Sequence, residues 1–343
     1  MSSQRIIWID YCKAIAIALV ILLHVGIPNP YRTVVRAFII PLFFFLSGLF
    51  ASPTQYHSFS DFWHRKLRRL LLPYLIFNVI TYIYWLIIAR HMGADAHTLV
   101  PWWKPIVGAI LGLEHWMLHC KPLWFLPCLM LTECLFFWCF KAIKANAKKL
   151  LIAVVLMTCG GFILSVMKLP PLPFAIGGAL SMMIFYYAGY FVRSCNYLHL
   201  LNTHLPRWGA MRWVVLTVLA MGLCATLSTQ TAEFRVFENT YGNLFFALPA
   251  AAVGCIGVMA FGIWLQRILP PLQPLLYIGR HTLTILALHL MVAGWIKAVT
   301  YYIFHLPMAI YDAIWAKLLF MIAIIIASIP LCYAYDWVKK RIA

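Results

Sequence analysis

Three ionisable side chains interrupt the first apolar run of the chain: Asp10, Lys13 and His24. Ionisable groups inside a membrane span are costly, so each marks a functional site by default. Eleven residues separate Lys13 from His24. At about 100° per residue they return to within roughly 20° of one helix face, about 16 Å apart along the axis. One face of one helix then carries a cation toward one membrane surface and an imidazole toward the other. Imidazole is well suited to take a proton from a hydroxyl near neutral pH. His24 is therefore the candidate general base, the alternative being an imidazole that only hydrogen-bonds a neighbouring helix. Glu133 lies near the middle of a later apolar run, where an unpaired carboxylate would be expensive. It joins Lys13 and His24 in the candidate catalytic set. By depth it matches Lys13 better than His24, which favours an ion pair that positions Lys13 over an acid that orients the imidazole. Asp10 shares a face with Lys13 (i to i+3), where a carboxylate also suits a helix N-terminus. His289, in a late apolar run, could line the same cavity or pack as a hydrogen-bonded core residue.

The elements that must carry these residues are membrane spans. Of 343 residues, 64% are hydrophobic and only 10% charged, and the mean hydropathy is +0.88. Such values lie outside the range of soluble globular domains and imply an all-α polytopic membrane protein. About ten apolar runs reach the roughly 20 residues that a bilayer requires. They cover 8–27, 37–52, 70–89, 122–140, 150–168, 174–192, 212–229, 242–265, 276–297 and 314–336. The net charge of +18 would suggest nucleic acid in a soluble protein, but here the cations fall in short loops between spans, and nucleic-acid binding is discounted. With a cytoplasmic N-terminus, seventeen basic residues sit at cytoplasmic ends and loops, from Arg5 and Arg65 through Arg207 to Arg341, against nine on the other side. Five of the nine acids (Asp95, Glu114, Glu233, Glu238, Asp312) accompany the smaller set. This asymmetry predicts that both termini are cytoplasmic.

The opening Met-Ser-Ser-Gln-Arg precedes a span without a small-residue cleavage site, so the first helix reads as retained. Most of the ten cysteines lie in or beside apolar runs without Cys-x-x-Cys spacing, as small buried hydrophobes do. Cys120 is the one placed in a long polar loop. That loop, between the third span and Pro122, holds Trp102, Trp103, Glu114, His115, Trp116 and His119, and Trp124 follows it. Its apolar stretch 106–113 is too short to cross. Interfacial tryptophans predict a re-entrant or surface helix, which is compatible with a lid over a substrate site. No appended soluble domain is expected; residues 1–343 read as one transmembrane unit.

Six pieces of sequence, in order, carry a resemblance. Asp10 to His24 (DYCKAIAIALVILLH) resembles the first-helix signature of the integral-membrane acyltransferase family 3, a group of O-acetyltransferases and fucose 4-O-acetylase-like enzymes. Pro41 to Gly48 (PLFFFLSG) resembles its second-helix motif and Phe62 to Tyr74 (FWHRKLRRLLLPY) its basic approach to the third helix. Leu123 to Pro127 (LWFLP), Phe185 to Arg193 (FYYAGYFVR) and Gly279 to His289 (GRHTLTILALH) resemble three later motifs. Lys13 stands where Arg is more usual, and Leu286 where an aromatic is common.

The resemblance implies acyl transfer, usually of acetyl from acetyl-CoA and with no metal, to hydroxyls of sugars in surface polysaccharides or their lipid-linked precursors. It also implies a bacterial inner membrane, with acyl-CoA, a glycan acceptor and membrane lipids as partners. Coenzyme A needs cations for its phosphates. Arg65, Lys66, Arg68 and Arg69 cluster at the expected cytoplasmic face, and guanidinium forks suit phosphate oxygens, although such a run also serves topology or anionic lipid. Arg68 and Arg69 match the family's basic pair, and Lys13, Arg65, Arg68 and Arg69 form the expected cofactor-binding set. Asp10, Trp124 and His289 form the expected substrate-binding set. A secondary transporter is the competing class, but its repeated halves or paired broken helices are not apparent.

Overall fold

The computed structural model describes residues 6–92, 100–197, 209–231 and 234–342. Arg5, Asp95, Arg207 and Glu233, which enter the charge count, lie outside them. Thirteen helices matter here: α1 (Ile7–Val25), α2 (Tyr31–Gly48), α3 (Phe59–Met92), α4 (Lys104–Leu111), α5 (Phe125–Ala142), α6 (Ala147–Val166), α7 (Ile176–Ser181), α8 (Met183–Ser194), α9 (Ala210–Thr229), α10 (Leu244–Ile268), α11 (Gln273–Arg280), α12 (Thr282–Ile303) and α13 (Ile314–Ile342). Among the described residues the only extended pairing is an isolated bridge between Arg235 and Thr240. Among the described residues nine helical stretches are long and apolar enough to cross a membrane, and α7 with α8, bent by 57°, makes up to ten. The chain is an all-α, multi-pass membrane protein.

Boundaries differ from the hydropathy reading where polar chemistry intervenes. The third helix begins at Phe59, not near 70, because Ser58 and Asp61 form a reciprocal capping box: each side chain accepts from the other's backbone N–H at 3.1 Å. This satisfies two of the donors left free at a helix start. The expected span 276–297 is broken at His281 into α11 and α12. There the imidazole Nδ1 meets the Tyr277 carbonyl at 2.8 Å and Nε2 meets Asp336 on α13 at 2.8 Å, so the side chain engages its own helix's backbone and a neighbour where the ladder turns.

Helix α1 is the hub. It packs on α2, α10, α11, α12 and α13, and glycines on its neighbours let backbones meet. A Cβ on Gly279 of α11 would overlap the Asp10 carbonyl, and one on Gly262 of α10 would lie 3.0 Å from the Trp8 carbonyl. Gly48 on α2 and Gly189 on α8 meet in the same way, backbone against backbone. In lipid, where apolar side chains gain little by leaving solvent, close packing of small residues is what joins helices. Three glycines of the quoted motifs, Gly48, Gly189 and Gly279, are thus contact points between helices.

The loop before α5 is folded against the bundle. Its helix α4 has eight residues, held to α3 by the Tyr74 hydroxyl donating to the Ala109 carbonyl. Trp102 and Trp103 are exposed. Cys120, expected in a polar loop, is instead fully buried, its thiol 3.1 Å from the Ala287 carbonyl of α12.

The glycine contacts lead to a direct test. Gly279→Ala should cost about 1–3 kcal/mol of stability by overpacking, seen as a lowered midpoint of thermal unfolding in detergent. Gly160→Ala, where a new Cβ meets nothing within 4 Å, should be neutral or stabilising by up to about 1 kcal/mol.

Candidate active site

Helix α1 presents its polar residues at two levels. Toward its N-terminal end, Asp10 and Lys13 line a cavity of about 430 Å³, with Arg69 from α3, Arg280 and His281 from the α11–α12 break, and Asp336 and Lys339 from α13. Four cations face two carboxylates there, and Asp336 is already engaged by His281 at 2.8 Å. The remaining positive field suits a polyanion. Lys13 holds its ammonium 4.6 Å from the centre of the Phe50 ring. The inner wall includes Ile17 and Leu286. His24 lies two helical turns beyond Ile17 on the same face, about 10 Å along the axis, and His289 one turn beyond Leu286. The cavity lining thus ends at Ile17 and Leu286, on the same two helices that carry the imidazoles.

At that second level the rings of His24 and His289 lie with centroids 5.1 Å apart, tilted by 53°. His24 sits in the last turn of α1, which Gly26 closes in the left-handed conformation (φ 90°), its N–H reaching the Leu22 and Leu23 carbonyls. This is the usual use of glycine after a helix end. His24 is the only exposed residue of α1, yet it lies against His289, which is 1% exposed. His289 donates from Nδ1 to the Leu286 carbonyl at 2.8 Å, which leaves Nε2 as a buried lone pair without a partner. Arg36 and Lys121 are near enough to act electrostatically on His24.

The lysine partner of Glu133 is not the expected one. Its carboxylate closes on Lys66 of α3 at 2.7 Å, both side chains nearly fully buried, so the predicted pairing of Glu133 with Lys13 is corrected. Depth along a span cannot say which neighbouring helix brings the opposite charge, and α3 brings Lys66 inward. The reason is local. Residues Leu67–Leu71 form a π-turn immediately before Pro73, which has no N–H for the Arg69 carbonyl four residues back. The wider turn separates Lys66, facing α5, from Arg69, facing the cavity.

The other expected site residues divide. Arg65 and Arg68 are exposed and do not line the cavity; Arg65 lies over the Tyr56 ring at 5.4 Å. Trp124 is buried one layer behind the wall, against Phe125 at 6.3 Å and Phe237 at 5.8 Å. Sequence reasoning counted Arg280 and Lys339 only as topology charges and did not single out His281 or Asp336. Arg280 and His281 stand inside the Gly279 to His289 motif, and that motif was the available signal for them; the α13 pair carries no comparable signal.

Residues 6–337 match the acyltransferase domain of family 3, nearly the whole chain, and the chain belongs to that family. Comparison with curated proteins and with solved structures finds no match.

The Lys66–Glu133 pair is open to a double-mutant cycle. Lys66→Met or Glu133→Gln alone should cost about 3–5 kcal/mol, since each leaves one buried charge uncompensated. The double mutant should be no worse than the worse single one in detergent unfolding midpoints. Lys13→Met combined with Glu133→Gln should instead add to within about 0.5 kcal/mol; the reverse pattern would restore the original pairing.

Proposed function

We propose that the chain moves an acetyl group from acetyl-CoA to a sugar hydroxyl of a surface polysaccharide or its lipid-linked precursor, in the bacterial inner membrane with both termini cytoplasmic. The observation that carries this reading is the register of α1, with Lys13 in a polycationic cavity and His24 about 16 Å further along the same face. That span is on the scale of an extended pantetheine arm. In this reading Lys13, Arg69, Arg280 and Lys339 hold the phosphates of the nucleotide, and the thioester reaches inward past Ile17. Arg65 and Arg68 belong to its outer approach.

The acceptor hydroxyl enters at the His24 end, between His24 and the unpartnered Nε2 of His289. His24 takes the hydroxyl proton as the oxygen attacks the thioester carbonyl. The new C–O bond forms as the C–S bond breaks, and the imidazolium proton leaves with the thiolate as coenzyme A thiol. Asp10 and Trp124 serve the substrates indirectly, Asp10 beside Lys13 and Trp124 by backing Phe125. Glu133 acts through Lys66, fixing the helix that presents Arg69.

Radiolabel transfer from acetyl-CoA by the purified chain tests the reaction. Release of coenzyme A should depend on the acceptor, whereas acceptor movement across vesicles without release would identify a transporter. His24→Ala should lower turnover by about 10²–10⁴-fold, the usual contribution of a general base, with insertion and unfolding midpoint retained. Arg69→Gln should raise KM for acetyl-CoA about tenfold, as loss of one charge-assisted contact implies, and leave KM for the acceptor unchanged. Arg68→Gln should shift it far less.

A further inference from the structure

A separate cavity of about 490 Å³ opens between α3 and α12. Both helices leave regular α geometry where they line it. Trp85, Ile88 and Ala89 come from the π-turn Trp85–Ala89, and Tyr301 and Tyr302 from the π-turn Val299–Ile303. Such turns are rare and concentrate at functional sites, and here two face one space. The cavity is distinct from the imidazole site: Leu290 and Met291 line it directly after His289, so α12 stands between the two.

Its lining has the chemistry of a lipid headgroup site. Met92, Met291 and Met308 supply adaptable apolar wall. Among the described residues, Lys297 is the one lining side chain with a fixed charge. Its ammonium lies 5.7 Å from the centre of the Phe320 ring, and among the described residues no carboxylate pairs with it. An ammonium between membrane helices suits a phosphate oxygen through a charge-assisted hydrogen bond, here at the face opposite the proposed cytoplasmic termini. Beside the cavity Ile87, Ile303 and Phe304 are each more than 60% exposed, an apolar track for acyl chains.

A second observation asks for a hydrogen-bond donor. His119 lines the same cavity and is only 7% exposed. Its Nε2–H donates to Asn78 Oδ1 at 2.8 Å, because the Asn78 amide group is itself donating to the Tyr74 carbonyl at 2.8 Å. Nδ1 is then a buried acceptor without a partner. Burial pushes the imidazole down to about 4, so at neutral pH it presents a lone pair and no charge. A neutral acceptor and a cation lining one cavity fit a head that combines an anionic phosphate with a free hydroxyl.

We propose that this cavity is a resident site for an anionic phospholipid with a hydroxyl-bearing head, of the phosphatidylglycerol class. The phosphate lies at Lys297, a glycerol hydroxyl donates to His119 Nδ1, and the chains run over Ile87, Ile303 and Phe304. The site needs no acyl transfer, so its test is independent of the reaction.

Native mass spectrometry of the full chain, released from detergent with phosphatidylglycerol or phosphatidylcholine titrated in, reads the site directly. One phosphatidylglycerol per chain should be retained, with at least tenfold preference over phosphatidylcholine. Lys297→Gln should lower that preference about tenfold. Ala298→Phe, which fills the cavity from an exposed position, should exclude the lipid while the unfolding midpoint stays near that of the parent. Equal retention of the two lipids, or a preference that survives both variants, would overturn the proposal. So would displacement of phosphatidylglycerol by a polyprenyl phosphate at lower concentration, since the site would then belong to a lipid-linked substrate.

Discussion

The contact between the α11 backbone at Gly279 and the α1 backbone at Asp10 is the constraint on which the site depends. Because no side chain separates the two helices there, the break at His281 falls beside Asp10 and Lys13. The cavity wall made by Arg280, His281 and Thr282 thereby becomes the wall opposite α1. The same break sets the start of α12, and through it the height at which His289 meets His24. A displaced α11 would move the cations and the second imidazole together. Helix joining by close backbone approach suits this role, since packed glycine contacts have no rotamer to yield.

Electrostatic cost explains how the remaining charges are arranged. The low-dielectric interior tolerates Glu133 and Lys66 only as a pair, and that pair ties α3 to α5 just where the π-turn rotates the following residues. Arg69 reaches the cavity because Lys66 is held elsewhere. His281 and Asp336 make a similar tie between the α11–α12 break and α13. Both pairs hold walls of the chamber, leaving Arg69, Arg280 and Lys339 with Lys13 around its space. The polycationic chamber is therefore framed by the Lys66–Glu133 ion pair and the His281–Asp336 hydrogen bond, each of which joins two helices.

Bilayer physics made much of this architecture legible from sequence. Twenty-residue apolar runs identified each membrane-crossing helix, and helical periodicity placed Lys13 and His24 on one face because both lie on the same uninterrupted element. Ordered motifs pointed to the family. The boundaries that failed did so where side chains compete with hydropathy, at the Ser58–Asp61 cap and at His281. The partner of Glu133 failed for a different reason: depth is a one-dimensional quantity and cannot rank two cations on different helices.

Composition and periodicity by themselves determined that this chain is an all-α membrane protein and that its first helix carries a cation and an imidazole in register. These follow from interactions within one segment or between a segment and its solvent. Only the tertiary structure decided that Glu133 belongs to Lys66, that Arg69, not Arg68, faces the chamber, that His289 stands against His24, and that Arg280, His281, Asp336 and Lys339 complete the wall. Each of these depends on which helices touch and at what rotation. In lipid those choices rest on glycine contacts and π-turns whose partners lie far away in the chain.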